Sequence, residues 1–254
     1  MSKINWKTTA FVAADIALAV YLLLAVSAFN NPEGQMDTCT DVDIVIEDGI
    51  VKGFLDEGAV RLQLQRQKLW PVGDPIGQVS VRRIEDALLK NPLVGSAECY
   101  KTHTGRVRIM LKQRLPVIRV MADNGDDYYV DHHGAIMPAG NYTSDQAIAT
   151  GHINKTYAQQ VLMRIGNMIL NDPLWRSQIE QLHVLPDGSL EMVPRVGSHI
   201  VYLGRPTNIG HKLERLEKFY KYGLSQAGWN KYSYISLEFD NQIICKKVKN
   251  KKAI

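Results

Sequence analysis

The chain has 254 residues, a formal net charge of +4 and an apolar fraction of 45%. That apolar share, beside 22% charged residues, excludes bulk disorder and leaves room for one or two folded domains. Lys246, Lys247, Lys249, Lys251 and Lys252 fall in the last nine residues and the remainder carries −1, so the basic balance belongs to the C-terminus and excludes a nucleic-acid-binding face.

Residues 10–29 read AFVAADIALAVYLLLAVSAF and carry one charge, Asp15. As a helix this run rises about 30 Å, enough to cross a hydrocarbon core. Lys3 and Lys7 precede it, and no Lys or Arg follows until Lys52. The positive-inside bias therefore predicts a cytoplasmic tail over 1–9, a transmembrane helix over 10–29 and an extracytoplasmic remainder. Val26-Ser27-Ala28 has the small-residue spacing of a signal-peptide cleavage site. The apolar run is longer than a signal core, which favours a retained anchor. An ionised Asp15 costs about 2.5–3.5 kcal/mol at a bilayer centre and less near its edge. It is therefore placed at the headgroups or against a partner helix.

A polar linker is expected over 30–40. Asp41–Ile46 alternates as a half-buried strand. Leu55–Lys68 has an imperfect helical face, and Pro71, Gly73, Asp74, Pro75 and Gly77 then break the chain. Val81–Leu89 is a second helix that stops before Asn91-Pro92, because a residue preceding proline avoids the helical region. Leu93–Lys101 and Arg106–Lys112 follow as strands, with Val107, Ile109 and Leu111 on one face. The order β-α-α-β-β gives a small sheet two helices to cover one face.

After Arg114 short alternating runs dominate. Strands are expected over Val117–Met121 and Asp127–Asp131, joined at Asn124-Gly125. A hairpin turns at Asp187-Gly188, and strands follow over His199–Leu203, Tyr234–Phe239 and Gln242–Lys247. Helices over Tyr157–Leu170 and Lys212–Tyr222 interrupt them. The fold class is therefore α+β: an N-terminal transmembrane helix, a β-α-α-β-β domain, and a mixed β-sheet domain with flanking helices.

The chain carries little that resembles catalytic machinery. Adjacent His132 and His133 lack the HxH or HxxxH spacing of a shared metal site. No GxSxG elbow, P-loop, GxGxxG or HExxH is present. Cys39, Cys99 and Cys245 are too widely spaced for a zinc site. One bridge among them would leave a free thiol, and Cys99 and Cys245 read as buried small hydrophobes. Trp175 and Trp229 read as core anchors. The expectation is a binding protein with no cofactor, no metal and no small-molecule substrate.

Several stretches, in order, resemble the bacterial cell-division family FtsQ, also called DivIB, in its Bacteroidetes form. They are Ile84–Leu88 with Asn91–Val94, Gln113-Arg114-Leu115-Pro116-Val117, Tyr129-Val130-Asp131-His132-His133-Gly134, Pro194–Gly197 with Ile200, Leu203, Gly204 and Lys212-Leu213, and Ile235–Gln242. The resemblance implies a polypeptide-transport-associated (POTRA) domain over 41–114, an FtsQ-type β domain over 115–247 and a basic tail over 248–254. It implies a non-enzymatic scaffold of the division septum, inserted in the inner membrane with its bulk in the periplasm. Its partners would be FtsB- and FtsL-like proteins and, indirectly, the septal peptidoglycan synthase. By position it assigns partner binding to Phe239, Asn241, Gln242, Ile243, Ile244, Lys246 and Lys247, through strand addition at the last β edge. The alternative is an envelope biogenesis or secretion protein whose POTRA domain binds extended polypeptides.

Overall fold

The computed structural model describes residues 6–29, 38–47, 55–140 and 145–248. Lys3, most of the expected linker and the tail lysines from 249 onward lie outside them.

Helix α1 runs over Trp6–Phe29. Its side chains are described over 10–26, and its large apolar groups are exposed: Phe11 is 73% and Leu23 71% accessible. Among the described residues no helix is long and apolar enough to cross a membrane.

The next elements keep the expected order: β1 (Asp41–Glu47), α2 (Glu57–Arg66), α3 (Val81–Leu89), β2 (Val94–Lys101) and β3 (Arg106–Gln113). Asp56 caps α2 by accepting from the Ala59 amide, and Ser80 caps α3 by accepting from that of Arg83. The sheet order is β1-β3-β2, with β1 parallel and β2 antiparallel to β3. Central β3 turns Val107, Ile109 and Leu111 inward, all fully buried. They meet Val60 and Leu64 of α2 and Ile84 and Leu88 of α3 in one core.

The rest of the chain builds a nine-stranded sheet. Its first strands are β4 (Pro116–Ala122), β5 (Asp127–Asp131), β6 (Ile136–Pro138) and β7 (Ile148–Gly151). A continuous helical run follows, made of α4 (Lys155–Tyr157), a π turn (Ala158–Leu162) and α5 (Met163–Asn171). Helix α6 (Pro173–Gln178) leads into β8 (Ile179–Val184), β9 (Leu190–Pro194) and β10 (Ile200–Gly204). Helix α7 (Ile209–Phe219), a second π turn (Tyr220–Leu224) and α8 (Ser225–Ala227) precede β11 (Tyr232–Ser236) and β12 (Ile244–Lys247). The strand order is β12-β11-β10-β9-β8-β7-β4-β5-β6. The pairs β4·β7, β7·β8 and β10·β11 are parallel and the others antiparallel. Leu162, Ile165, Leu213 and Leu216 from the helices pack on Val120, Ala149, Leu182, Val201 and Ile235 of the sheet.

Two short strands, β6 and β7, are absent from the sequence reading. Each has four residues or fewer, too few for alternation to register. The last strand pair is also shorter than expected. Leu237 still donates its amide to the Tyr202 carbonyl at 2.9 Å, but beyond it the chain leaves the sheet. Phe239, Asn241, Gln242 and Ile243 therefore lie in the connector between β11 and β12, and the strand begins only at Ile244.

The two sheets meet at residues from two of the resembling stretches. Arg114 Nη1 donates to Asp131 Oδ2 at 2.7 Å, with the Asp131 side chain fully buried. The other Asp131 oxygen accepts from the His133 and Ala135 amides at 2.9 and 2.7 Å, which closes the turn through Gly134. The Arg114 amide donates to the Leu93 carbonyl at 2.8 Å. Leu93 in turn packs against buried Tyr129 and Met137 of the larger sheet.

A second polar group is buried beneath β10 and the π turn that follows α7. His199 Nε2 and the Tyr220 hydroxyl lie 2.7 Å apart, and His199 Nδ1 is buried with no hydrogen-bond partner. Trp229 stands edge-on to Tyr220 with ring centroids 5.1 Å apart, and the Trp175 ring lies 6.5 Å from that of Tyr220. Of the two tryptophans read as core anchors, Trp175 is buried and Trp229 is partly buried against the core.

These two groups set separate acid limits. Burial works to raise the Asp131 pKa, but Arg114 and the two amides outweigh it and hold the carboxyl below its usual range. Its stabilisation is present above the unfolded carboxylate value near about 4 and is lost as pH falls below it. Burial lowers the His199 pKa. The unfolded imidazole binds its proton first, so stability begins to fall once pH drops through about 6.5. Denaturant titrations at stepped pH should show both losses, and His199→Gln should abolish the one that begins near pH 6.5. Asp131→Asn should cost about 3 kcal/mol, the low end for breaking a buried pair, because Arg114 keeps some contact with water.

Candidate functional site

Two strands end the larger sheet. β6 has three residues and closes on Pro138, which has no amide hydrogen to offer a further strand. β12 is the opposite end. It pairs with β11 through Ser236↔Ile244, Ile235↔Cys245, Tyr234↔Lys246 and Tyr232↔Lys247. Among the described strands none pairs with its other side. A strand with one unpaired side presents backbone donors and acceptors at the sheet spacing, ready for another extended segment.

The side chains around this edge are mixed in character. Ile244 is 48% exposed and Phe239 51%. Cys245 points the other way and packs against the core, where burial pushes its thiol up from the ordinary range. Asn241, Gln242, Lys246 and Lys247 are exposed, and Ile243 is partly buried against the core. Of the residues assigned to partner binding, Ile244, Lys246 and Lys247 lie on β12. Phe239, Asn241, Gln242 and Ile243 lie on the connector that leads into it.

A groove of about 490 Å³ runs beside this connector. Arg215, Lys218, Phe219 and Tyr222 line one wall, and Asp240–Ile243 the other. Arg215 Nη2 donates to the Gln242 carbonyl at 2.7 Å, tying α7 to the connector. Arg215 Nη1 is buried with no hydrogen-bond partner. Tyr222 is 63% exposed at the groove mouth. Sequence reasoning missed Arg215 and the groove. The helix itself is legible, but Arg215 meets Gln242 from 27 positions away, and helical spacing carries no signal of that.

The His132-His133 pair lies elsewhere, in the turn that Asp131 closes. The imidazole centroids are 3.9 Å apart, and the His132 carbonyl accepts from the Asn167 amide group at 3.1 Å. Among the described residues no three His, Cys, Asp or Glu side chains converge as metal ligands. All three cysteines are free thiols: Cys39 and Cys99 are buried and Cys245 half-buried. Burial, then the nearby Glu85 carboxylate, pushes the Cys99 thiol up to about 12, which makes it unreactive at neutral pH.

Residues 37–112 match the family model for a POTRA-like domain. Residues 115–246 match the model described as FtsQ/DivIB, C-terminal related. The cell division protein FtsQ of Rhodothermus marinus is 28% identical to this chain over 174 residues. That match covers 63% of each protein, so the chain spans somewhat under two thirds of that relative's length. The C-terminal family model alone covers more than half of the chain, including the β12 edge and the groove beside it. The chain belongs to the FtsQ/DivIB family.

Proposed function

We propose that this protein is a non-enzymatic, membrane-anchored scaffold of the bacterial division machinery that binds partners by strand addition at β12. In this reading residues 41–114 are the POTRA domain and 115–247 the β domain. The partners are FtsB- and FtsL-like proteins, and through them the septal peptidoglycan synthase. The carrying observation is that β12 ends the larger sheet with an unpaired side, flanked by exposed Phe239 and Ile244. Main-chain bonds along such an edge supply affinity, and alternating side chains select the partner. Lys246 and Lys247 suit acidic residues on the incoming strand and raise its association rate. Lysines also shield edges from unwanted pairing. Two exposed apolar groups beside them favour a binding edge, because shielding alone gains nothing from exposed apolar area.

The anchor in this reading is the helix of residues 10–29, with residues 1–9 cytoplasmic and the bulk of the chain periplasmic at the septum. Support comes from α1, whose described apolar side chains are exposed along its length and distributed around its axis. Such a surface is costly in water and at home in lipid. A second reading, a biogenesis protein that binds extended polypeptides, draws on the smaller sheet. There β1 and β2 are both outer strands, each paired on one side.

Deleting residues 239–254 from the full chain is expected to abolish co-purification of FtsB- and FtsL-like proteins while the β-α-α-β-β domain stays folded. Undiminished capture would sink the edge reading. A fluorescent fusion should form a band at midcell. A uniform envelope signal, with binding of unfolded outer-membrane polypeptides, would instead support the second reading.

A further inference from the structure

Helix α7 carries a buried cation. Lys212 is 5% exposed. Lysine is almost never buried this fully unless its ammonium is paired. Its Nζ donates to the Leu203 carbonyl at 2.7 Å and the Arg205 carbonyl at 2.9 Å. Both acceptors sit where β10 ends. Burying an ammonium here for fold stability alone is a poor exchange, since an apolar side chain of similar volume commonly serves as well or better.

What the ammonium organises lies directly in line with the candidate site. Between its two acceptors is Gly204, at φ +66°, where β10 leaves the sheet. A Cβ on Gly204 would stand 3.6–3.7 Å from the Glu238 side chain and backbone. The end of β10 therefore lies in contact with the start of the β11–β12 connector. The Leu237 amide is bound to Tyr202 just before this point. Burial lowers the Lys212 pKa, while the Asp240 and Glu238 carboxylates favour the charged form and Arg215 opposes it. Those two carboxylates flank Phe239. One turn further along α7, Arg215 holds the other end of the connector at the Gln242 carbonyl, 2.7 Å away. Residues three apart lie on the same side of a helix.

We infer that Lys212 is a positioning residue for the partner-binding edge, acting with Arg215 as a pair of cations on α7 that fix the two ends of the β11–β12 connector and so set where β12 runs. Lys212 sets the start of the connector through the end of β10, where Gly204 lies against Glu238. Arg215 sets its finish. The inference rests on reading β12 as the working edge, but the connector's order is measurable with no partner present.

The experiment is amide hydrogen exchange on the full chain in detergent micelles, for the parent protein, Lys212→Met, Lys212→Arg and the surface variant Glu238→Gln/Asp240→Asn. Lys212→Met is expected to speed exchange over residues 237–247 at least about tenfold, the scale of losing a charge-assisted hydrogen bond. Protection in β3, β4 and β8 should stay within about twofold, because local opening need not propagate. Lys212→Arg should recover most of the lost protection. Glu238→Gln/Asp240→Asn leaves the core untouched and should loosen the same segment by several-fold. Unchanged exchange over 237–247 in Lys212→Met would overturn the inference. A uniform rise across the whole larger sheet would also overturn it, since that marks a core role only. If Lys212→Met unfolds the domain, the double surface variant decides, and unchanged exchange there overturns the inference. Local loosening in a protein whose parent captures no FtsB-like partner would leave the positioning role standing and remove the function assigned to the edge.

Discussion

The contact between Arg114 and Asp131 joins the smaller sheet to the larger one through a fully buried carboxylate. A fully buried carboxylate needs its charge met and its lone pairs filled. Arg114 meets the charge, and the amides of His133 and Ala135 fill the second oxygen. Arg114 follows β3 of the smaller sheet and Asp131 ends β5 of the larger, so one ion pair joins the two. The Leu93 carbonyl and the Tyr129–Met137 cluster extend the same seam. A surface pair of this geometry would be worth little. Here the carboxylate is fully buried, which makes the geometry demanding.

From that seam the larger sheet extends in one direction. β5 and β4 follow, then the parallel steps to β7 and β8, and finally the strands that reach β12. The parallel steps β7·β8 and β10·β11 are bridged by helices, and those helices cover one face and pack on the core. The candidate partner edge is thus placed far along the sheet from the junction.

At the proposed partner edge Phe239 and Ile244 offer exposed apolar contact on either side of the point where Arg215 of α7 holds the Gln242 carbonyl. His199 with Tyr220 and Lys212 with two carbonyls are buried polar groups in this last third of the chain, and the half-buried Arg215 holds the Gln242 carbonyl nearer the surface. The buried groups cost desolvation that an apolar core would avoid, and each specifies one local arrangement of the chain.

Much of the architecture was legible in the sequence, because local periodicity and turn chemistry act on neighbouring residues. The helix Val81–Leu89, the strand Asp127–Asp131 and the inward row Val107, Ile109, Leu111 are all visible as spacing alone. The resembling stretches were legible too, although the reason Arg114 and Asp131 matter was not. Short strands such as β6 escaped because three residues hold no period. The tertiary structure alone decided that Phe239 and Gln242 stand on a connector and not on a strand. It also decided that Arg215 meets the Gln242 carbonyl and that Lys212 meets the carbonyls at the end of β10. The physical reason is the same in each case: these are pairings between backbone and side chains many residues apart, set by how the sheet closes against α7, and no local pattern encodes them.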